Sequence, residues 1–355
     1  MQADRKRVIF HIGLERTGTT SFQKFCHDSR RRLLDAGLLY PTRSLAFSRA
    51  SFNHAALAAS YLKSRDWVDY NIASSRSGAH SVLASLRAEI SAAETASAVL
   101  ISAEHFSSRF ESNDIERLAH DFADFDCEIV VVLRAHEPRA TSAYSSTIRA
   151  GRRVTPDAYF DELFLPANWY VRYRQTIERW EAVFGRSKVR ALLYEEGGDA
   201  IGMLAKSGLT AGVEGSSSAR YSVNAHHDAS VLEAVRRVNE RLSPMDDFAV
   251  QKLLSFKTAE FARSKILNAL TQTPHRRIAI RNCVSADRLA RLDEIASEDA
   301  AWLEESYGLD LPKTTAEPRS SDCDHALVRN EAEALLERLS WEPRLWLRLA
   351  ERLKT

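Results

Sequence analysis

The chain has 355 residues, and its hydrophobic content of 45% and charged content of 27% are typical of a globular protein with its own core. The formal net charge of +1 gives no overall basic field, which argues against nucleic acid as a partner. The four cysteines lie far apart without a CxxC pair, so we expect neither a metal site nor a disulfide framework, and a reducing, cytoplasmic compartment. We also expect no signal peptide and no membrane span, because no segment approaches about 20 consecutive apolar residues.

Short apolar runs alternate with helical patterns through the first part of the chain. The predicted strands are Val8–Ile12, Leu38–Tyr40, Ala98–Ser102, Glu128–Leu133 and Val189–Leu193. The predicted helices are Thr20–Ala36, Gly78–Ala96, Asp114–Phe122, a helix opened by Pro138, and Trp169–Phe184. Glu128–Leu133 is apolar on both faces, as a central parallel strand must be. This alternation predicts an α/β fold, in which helices flank a central parallel sheet and ligands bind at the carboxyl ends of the strands.

The C-terminal part is predicted to be mostly helical. The predicted helices are Val231–Arg241, Phe248–Ala262, Ala286–Tyr307 and an amphipathic tail over Ala326–Lys354. The tail carries charges of both signs, which favours packing on the domain or on a partner over an anionic membrane. Residues 215–218 and 313–324 have the composition of loops. We therefore predict one domain over residues 7–312, then a linker and helical extension over 313–355.

The most informative segment joins the first strand to the first helix. A turn bounded by Gly13 and Gly18 leads into a helix that starts with hydroxyl residues, so backbone N–H groups converge at the positive end of a helix dipole. This predicts an anion-binding loop rather than an ordinary Gly-Thr turn. A Walker loop has Lys after its second Gly, whereas this chain has Thr19 there and Arg16 as the nearby cation.

A second candidate site follows the strand Glu128–Leu133. The strand ends at Arg134, and Ser142 lies one turn inside the next helix, so both are expected to converge near that helix's N-terminus. Arg134 is a cation where a Walker-type phosphoryl transferase needs a metal ligand. Glu104, just past another strand, stays open as an alternative ligand.

These two segments resemble the nucleotide motifs of sulfotransferases that use 3′-phosphoadenosine 5′-phosphosulfate (PAPS). Many bacterial carbohydrate sulfotransferase-like proteins read His-(Ile/Val)-Gly-x-x-Lys-Thr-Gly-Thr-Thr-Ser. This chain matches at His11, Gly13, Thr17, Gly18, Thr19, Thr20 and Ser21. It departs at Arg16, which keeps the positive charge of the usual Lys but presents a planar fork. Arg134 and Ser142, with seven residues between them, resemble the motif that grips the 3′-phosphate.

The resemblance implies a P-loop NTPase-like sulfotransferase fold, PAPS as the sulfuryl donor and no metal. The acceptor that it implies is a hydroxyl of a carbohydrate or glycolipid. Leu192–Glu195 resembles the element whose Tyr lies beside the adenine, which makes Tyr194 a candidate. The implied donor-binding residues are Arg16, Thr17, Gly18, Thr19, Thr20, Ser21, Arg134, Ser142 and Tyr194.

Sulfuryl transfer needs a base for the acceptor hydroxyl and a cation for the leaving oxygen. Arg16 is the natural cation. Glu104 is the first candidate base because relatives often read Ser-Ser-Glu where this chain has Ser102-Ala103-Glu104. His105 is the second candidate base and His54 the third, whereas His11 is interpreted as a hydrogen-bonded core histidine.

Several arginines follow Arg134. We interpret Arg139 as part of a solvated helix face. For Arg149, Arg152 and Arg153, a solvated face and attraction of an anionic acceptor both stay open. Two other functions also stay open: a P-loop kinase that uses ATP and Mg²⁺, and an inactive sulfotransferase fold that binds nucleotide or a partner, for which the Arg at position 16 is the main argument.

Overall fold

The computed structural model describes residues 5–42, 52–62, 79–194, 228–241, 250–312 and 325–352, with positions 202 and 208. The strands are β1 (Arg7–His11), β2 (Leu38–Leu39), β3 (Ala98–Ser102), β4 (Asp126–Leu133) and β5 (Val189–Leu193). The helices before β5 are α1 (Thr19–Asp28), α2 (Arg30–Asp35), α3 (Ala55–Tyr61), α4 (Ala79–Ala92), α5 (His105–Arg109), α6 (Ser112–Asp121), α7 (His136–Arg149), α8 (Pro156–Leu163) and α9 (Tyr173–Phe184). Those after β5 are α10 (Ala229–Arg241), α11 (Val250–Gln272), α12 (Ala286–Tyr307), α13 (His325–Glu337) and α14 (Trp341–Arg352).

The chain divides into two compact units, and neither is a single continuous segment. The first unit comprises Met1–Ala135, Arg172–Asn224 and Ser297–Pro312. The second comprises His136–Val171, Ala225–Ala296 and Lys313–Thr355. The predicted division into residues 7–312 and 313–355 stays a prediction. The predicted loops at 215–218 and 313–324 lie outside the described residues.

The first unit contains a five-stranded, all-parallel sheet in the order β2-β3-β1-β4-β5. Successive side chains of a strand point to opposite faces, and both faces are buried. In β1, Phe10 joins the core cluster that contains Trp180 of α9, whereas Ile9 joins the cluster that contains Phe22 of α1. The same alternation along β4 explains its continuous apolar sequence. The predicted α/β fold with a central parallel sheet is confirmed.

The order of the strands defines where a ligand site is expected. β1 and β4 are neighbours, but the chain leaves β1 towards β2 and leaves β4 towards β5, which lie at opposite edges of the sheet. Where neighbouring parallel strands send the chain in opposite directions, a crevice opens at their carboxyl ends. Both candidate nucleotide segments begin at those two ends, at residues 12 and 134.

Some helix boundaries differ from the prediction for identifiable reasons. The predicted helix Thr20–Ala36 is two helices, because Ser29 between them adopts a non-helical φ of −96° and ψ of 7°. Helix α9 begins at Tyr173, four residues later than predicted, because the Asp299 carboxylate accepts the backbone N–H groups of Tyr173 and Arg174 at 2.8 and 3.0 Å. The tail is likewise two helices, α13 and α14, and α7 begins two residues before Pro138.

The described part of the second unit is helical. Its core includes Tyr144 of α7, Phe160 of α8, Val235 of α10, Leu270 of α11 and Leu335 of α13. The predicted bounds of α12 coincide with the observed ones, whereas α11 extends beyond the predicted Ala262 to Gln272. None of the helices in the described ranges combines the length and apolarity needed to cross a membrane.

Candidate active site

The loop between β1 and α1 is built around two glycines in left-handed conformations. Gly13 has a φ of 40°, and a Cβ added there would lie 2.5 Å from Cγ2 of Thr19. Gly18 has a φ of 76° and is the N-cap of α1. Gly13 therefore requires both the conformational freedom and the small size of glycine, and Gly18 requires its conformational freedom. The loop packs so closely on the first turn of α1 that no side chain fits between them.

Arg16 adopts a conformation that is unfavourable for its residue type. Its φ is 72°, and it is the single non-glycine residue with a positive φ among the described ranges. A left-handed conformation costs a residue with a Cβ about 1–2 kcal/mol. Two hydrogen bonds hold the loop in this shape: Arg134 Nη1 donates to the Arg16 carbonyl at 3.1 Å, and the Thr17 hydroxyl donates to the Leu14 carbonyl at 2.6 Å. Backbone strain of this kind is concentrated at functional sites.

The N-terminus of α1 has the features of an anion site. Its N-cap residue, Gly18, has no side chain that could cap the helix, and its first turn contains no acidic residue. An anion at this end would interact with both the backbone N–H groups of the first turn and the helix dipole. The predicted contact residues differ in accessibility, because Thr20 is exposed, Ser21 is half-buried, and Thr17 and Thr19 are buried.

Three predicted donor-binding residues, Arg16, Arg134 and Tyr194, lie together at the carboxyl ends of β1, β4 and β5. Arg134 ends β4, is 8% exposed, and reaches the Arg16 carbonyl. Its guanidinium carbon lies 5.4 Å from the ring centroid of Tyr194, which follows β5. The Tyr173 hydroxyl donates to the Arg134 carbonyl at 2.7 Å and fixes the end of the strand. The remainder of the Tyr-Glu element, Glu195, lies outside the described residues.

Ser142, the other half of the predicted 3′-phosphate motif, lies on α7 in the second unit and is 7% exposed. Its predicted convergence with Arg134 stays a prediction.

Glu104, the first candidate base, is half-buried between β3 and α5. Glu104 is the N-cap residue of α5, but its side chain forms no capping hydrogen bond there. Instead, Glu104 Oε2 accepts a hydrogen bond from Gln23 Nε2 of α1 at 3.0 Å. His105, the second candidate, is the first residue of α5 and is half-buried.

His54, the third candidate base, has both ring nitrogens bound to the backbone. Its Nδ1 accepts from the Ser102 N–H at 2.9 Å, which leaves Nε2–H to donate to the Pro41 carbonyl at 3.0 Å. The ring is 0% exposed, and burial lowers its pKa to about 4. This geometry favours a structural role for His54, which joins the chain before α3 to β3.

His11 is a core histidine, as the sequence predicted. It is 1% exposed, its Nδ1 lies 2.8 Å from Ser102 Oγ, and its ring packs edge-on against Phe22. Burial lowers its pKa to about 3, so the ring is neutral at physiological pH. The added Cβ at Gly13 would lie 3.5 Å from its Nε2, which places the ring directly beneath the loop.

The arginines that follow Arg134 in the chain differ in their exposure and in their partners. The interpretation of Arg139 as part of a solvated face is wrong: it is 2% exposed, donates to the Tyr170 carbonyl, and stacks 3.7 Å from the Tyr170 ring centroid. Arg152 forms two hydrogen bonds with the Glu162 carboxylate, at 2.8 and 2.7 Å, which reduces its value for attracting an anion. Arg149 and Arg153 are exposed.

Sequence reasoning missed Gln23, which is 2% exposed on α1 and contacts Glu104. The available signal was a polar residue on a face otherwise occupied by Phe22, Phe25 and Cys26, four positions after Thr19. In the described ranges, no group of three or more His, Cys, Asp or Glu side chains is arranged to hold a metal ion.

Comparison of the chain with protein-family models, curated proteins and solved structures finds no match in any of the three. Function is therefore inferred from the fold and from the residues at the carboxyl edge of the sheet.

Proposed function

We propose that the chain is a PAPS-dependent sulfotransferase. The observation that carries the proposal is the contact of Arg134, at the end of β4, with the Arg16 carbonyl in the loop after β1. It joins the two segments that resemble the 5′-phosphosulfate and 3′-phosphate motifs. The ring of Tyr194 beside the Arg134 guanidinium offers an aromatic surface for a base at the same edge of the sheet.

The donor carries one anionic group at each end of its ribose, and two features of the site suit them. The N-terminus of α1, whose N-cap is Gly18, and the cation Arg16 fit the 5′-phosphosulfate, and the Arg134 guanidinium fits the 3′-phosphate. An Arg is well suited to a phosphate because its planar fork donates two parallel hydrogen bonds.

In the proposed reaction, the acceptor hydroxyl oxygen forms a bond to sulfur while the bond from sulfur to the 5′-phosphate oxygen breaks. The hydroxyl proton passes to the base, for which we propose the Glu104 carboxylate, with His105 as the alternative. The negative charge that remains on the phosphate oxygen is stabilised by Arg16 and the helix dipole. The products are the sulfated acceptor and 3′,5′-bisphosphoadenosine.

The resemblance favours a carbohydrate or glycolipid hydroxyl as the acceptor. A cytoplasmic location belongs to the same proposal, and the free thiols of Cys26, Cys127 and Cys283 are compatible with a reducing compartment.

Thermal unfolding with three ligands tests the proposal. We expect 3′,5′-bisphosphoadenosine to raise the melting temperature, because a ligand at 100 times its Kd adds about 2.7 kcal/mol to stability. ADP, and ATP with Mg²⁺, should have much smaller effects. A shift with ATP and Mg²⁺ alone would instead identify a P-loop kinase, an outcome that Thr19 in place of the Walker lysine argues against. No shift with any ligand would leave the non-enzymatic alternative.

A further inference from the structure

Gln23 is a buried amide on the helix that begins at the candidate phosphate loop. It is 2% exposed, and its neighbours Phe22 and Phe25 are fully buried. Burial of an amide is unfavourable unless its polar atoms are hydrogen-bonded. Its Nε2 carries two protons and lies 3.2 Å from Ser102 Oγ and 3.0 Å from Glu104 Oε2. The amide nitrogen therefore bridges the end of β3 and the candidate base.

The hydrogen bonds to Glu104 and Ser102 fix the direction in which this amide points. Ser102 Oγ accepts from Gln23 Nε2 and lies 2.8 Å from His11 Nδ1, to which its single proton can be donated. His11 is neutral because burial lowers its pKa to about 3, and in the tautomer that carries the proton on Nε2 its Nδ1 accepts this hydrogen bond. Because an ionised Glu104 carboxylate only accepts hydrogen bonds, the Gln23 NH₂ group, rather than its carbonyl oxygen, must face Glu104, and Ser102 Oγ then accepts its second N–H.

The position of Gln23 connects the candidate base to the candidate phosphate site. Gln23 lies one turn after Thr19, on the same face of α1 as the residue that packs against Gly13. The Ser107 hydroxyl, from α5, also donates to the Gly13 carbonyl at 2.5 Å. These hydrogen bonds join the segment that carries Glu104 to both the loop and α1. They therefore fix the position of a carboxylate oxygen of Glu104.

We propose that Gln23 is a positioning residue, whose amide is anchored on Ser102 and holds the Glu104 carboxylate for proton removal from the acceptor. This inference rests on the proposed function and selects Glu104 over His105 as the base. An ionised carboxylate, which only accepts hydrogen bonds, suits the Gln23 amide donor. A displacement of about 1 Å in such a group can lower the rate by about 100-fold.

The test is a double-mutant cycle with Gln23→Met and Glu104→Gln. Methionine has a similar length to glutamine but no donor. Transfer is measured from labelled PAPS to a defined pool of methyl hexosides, and the Kd of 3′,5′-bisphosphoadenosine is measured by calorimetry. We expect Gln23→Met to lower kcat by roughly 10-fold to 100-fold with little change in that Kd. In the Glu104→Gln background, Gln23→Met should cause almost no further loss.

Two further variants separate positioning from stability. Ser102→Ala removes the oxygen that anchors the amide. It should likewise lower kcat with little change in the Kd, so the inference stays testable if Gln23→Met does not fold. Gln175→Met changes an exposed glutamine on α9 and should alter neither quantity.

The inference is overturned if Gln23→Met leaves kcat unchanged, or lowers it equally with and without Glu104→Gln. Failure of the proposed function gives a different result, because the wild-type chain would then not bind 3′,5′-bisphosphoadenosine or would not transfer the label.

Discussion

The guanidinium of Arg134 donates a hydrogen bond to the backbone carbonyl of Arg16 over 3.1 Å, between residues 118 positions apart in the chain. One end of this contact is the cation of the candidate 3′-phosphate site, and the other is the strained residue of the candidate phosphosulfate loop. Binding of an anion at one of these sites should therefore change the backbone order of the other.

Loss of this contact should loosen the loop. In Arg134→Ala, the Arg16 carbonyl loses its donor, and we expect faster hydrogen exchange of the backbone amides between residues 13 and 19, with little change in the sheet. Arg31→Ala, which alters an exposed arginine on α2, is the matched control and should leave exchange unchanged. Equal exchange rates in the loop of Arg134→Ala and the wild-type chain would contradict this expectation.

The positive φ of Arg16 predicts an unusual order of stability among its variants. Arg16→Gly and Arg16→Ala both remove the cation, but only alanine keeps a Cβ at a φ of 72°. We expect Arg16→Gly to exceed Arg16→Ala by about 1 kcal/mol in the free energy of unfolding, measured by urea denaturation. Both variants should bind 3′,5′-bisphosphoadenosine more weakly than the wild-type chain. Equal stability of the two would argue against strain at this position.

Gly13 should tolerate no side chain. In Gly13→Ala, the new Cβ would lie 2.5 Å from Thr19 Cγ2, and we expect a loss of about 2–3 kcal/mol in stability. Thr19→Ser removes Cγ2, so the double variant should recover part of this loss. Gly308→Ala is the control, because Gly308 also has a positive φ, 63°, but no atom within 4 Å of the added Cβ. The prediction fails if Gly13→Ala costs no more than Gly308→Ala.

Two buried histidines predict a loss of stability in mild acid. Burial lowers the pKa of His54 to about 4 and that of His11 to about 3, from 6.5 in the unfolded chain. Between pH 6.5 and 4 the unfolded chain therefore binds more protons than the folded chain, and stability falls as the pH falls. Each histidine should contribute about 2 kcal/mol of this loss between pH 7 and pH 5.

Urea denaturation of His54→Gln at pH 7 and pH 5 measures how much His54 contributes to the loss of stability in acid. The variant should be less stable at pH 7 but should lose less on acidification than the wild-type chain, because only His11 still titrates. An identical loss in both chains would show that His54 is not buried in its neutral form.

The sheet could be predicted from the sequence because its strands carry their own signal. Strands buried on both faces are continuously apolar, so β3 and β5 were predicted with their observed bounds. The loop after β1 was also predictable, since two glycines and a run of hydroxyl residues reflect local backbone requirements.

Features that depend on distant residues could not be predicted in this way. The start of α9 is determined by Asp299, which lies 126 positions after Tyr173. Arg139 looked like a surface charge because its position against the Tyr170 ring is a property of the packed unit. Gln23 acquires its partners, Ser102 and Glu104, only when β3 lies beside β1.

Calorimetric titration with 3′,5′-bisphosphoadenosine tests the central claim most directly, using the wild-type chain, Arg134→Ala and the control Arg31→Ala. The account predicts that the wild-type chain and Arg31→Ala bind with the same Kd, and that Arg134→Ala binds at least about tenfold more weakly, since a charge-assisted hydrogen bond contributes about 1.5–3 kcal/mol. Equal affinity of all three chains, or no binding by the wild-type chain, would contradict it.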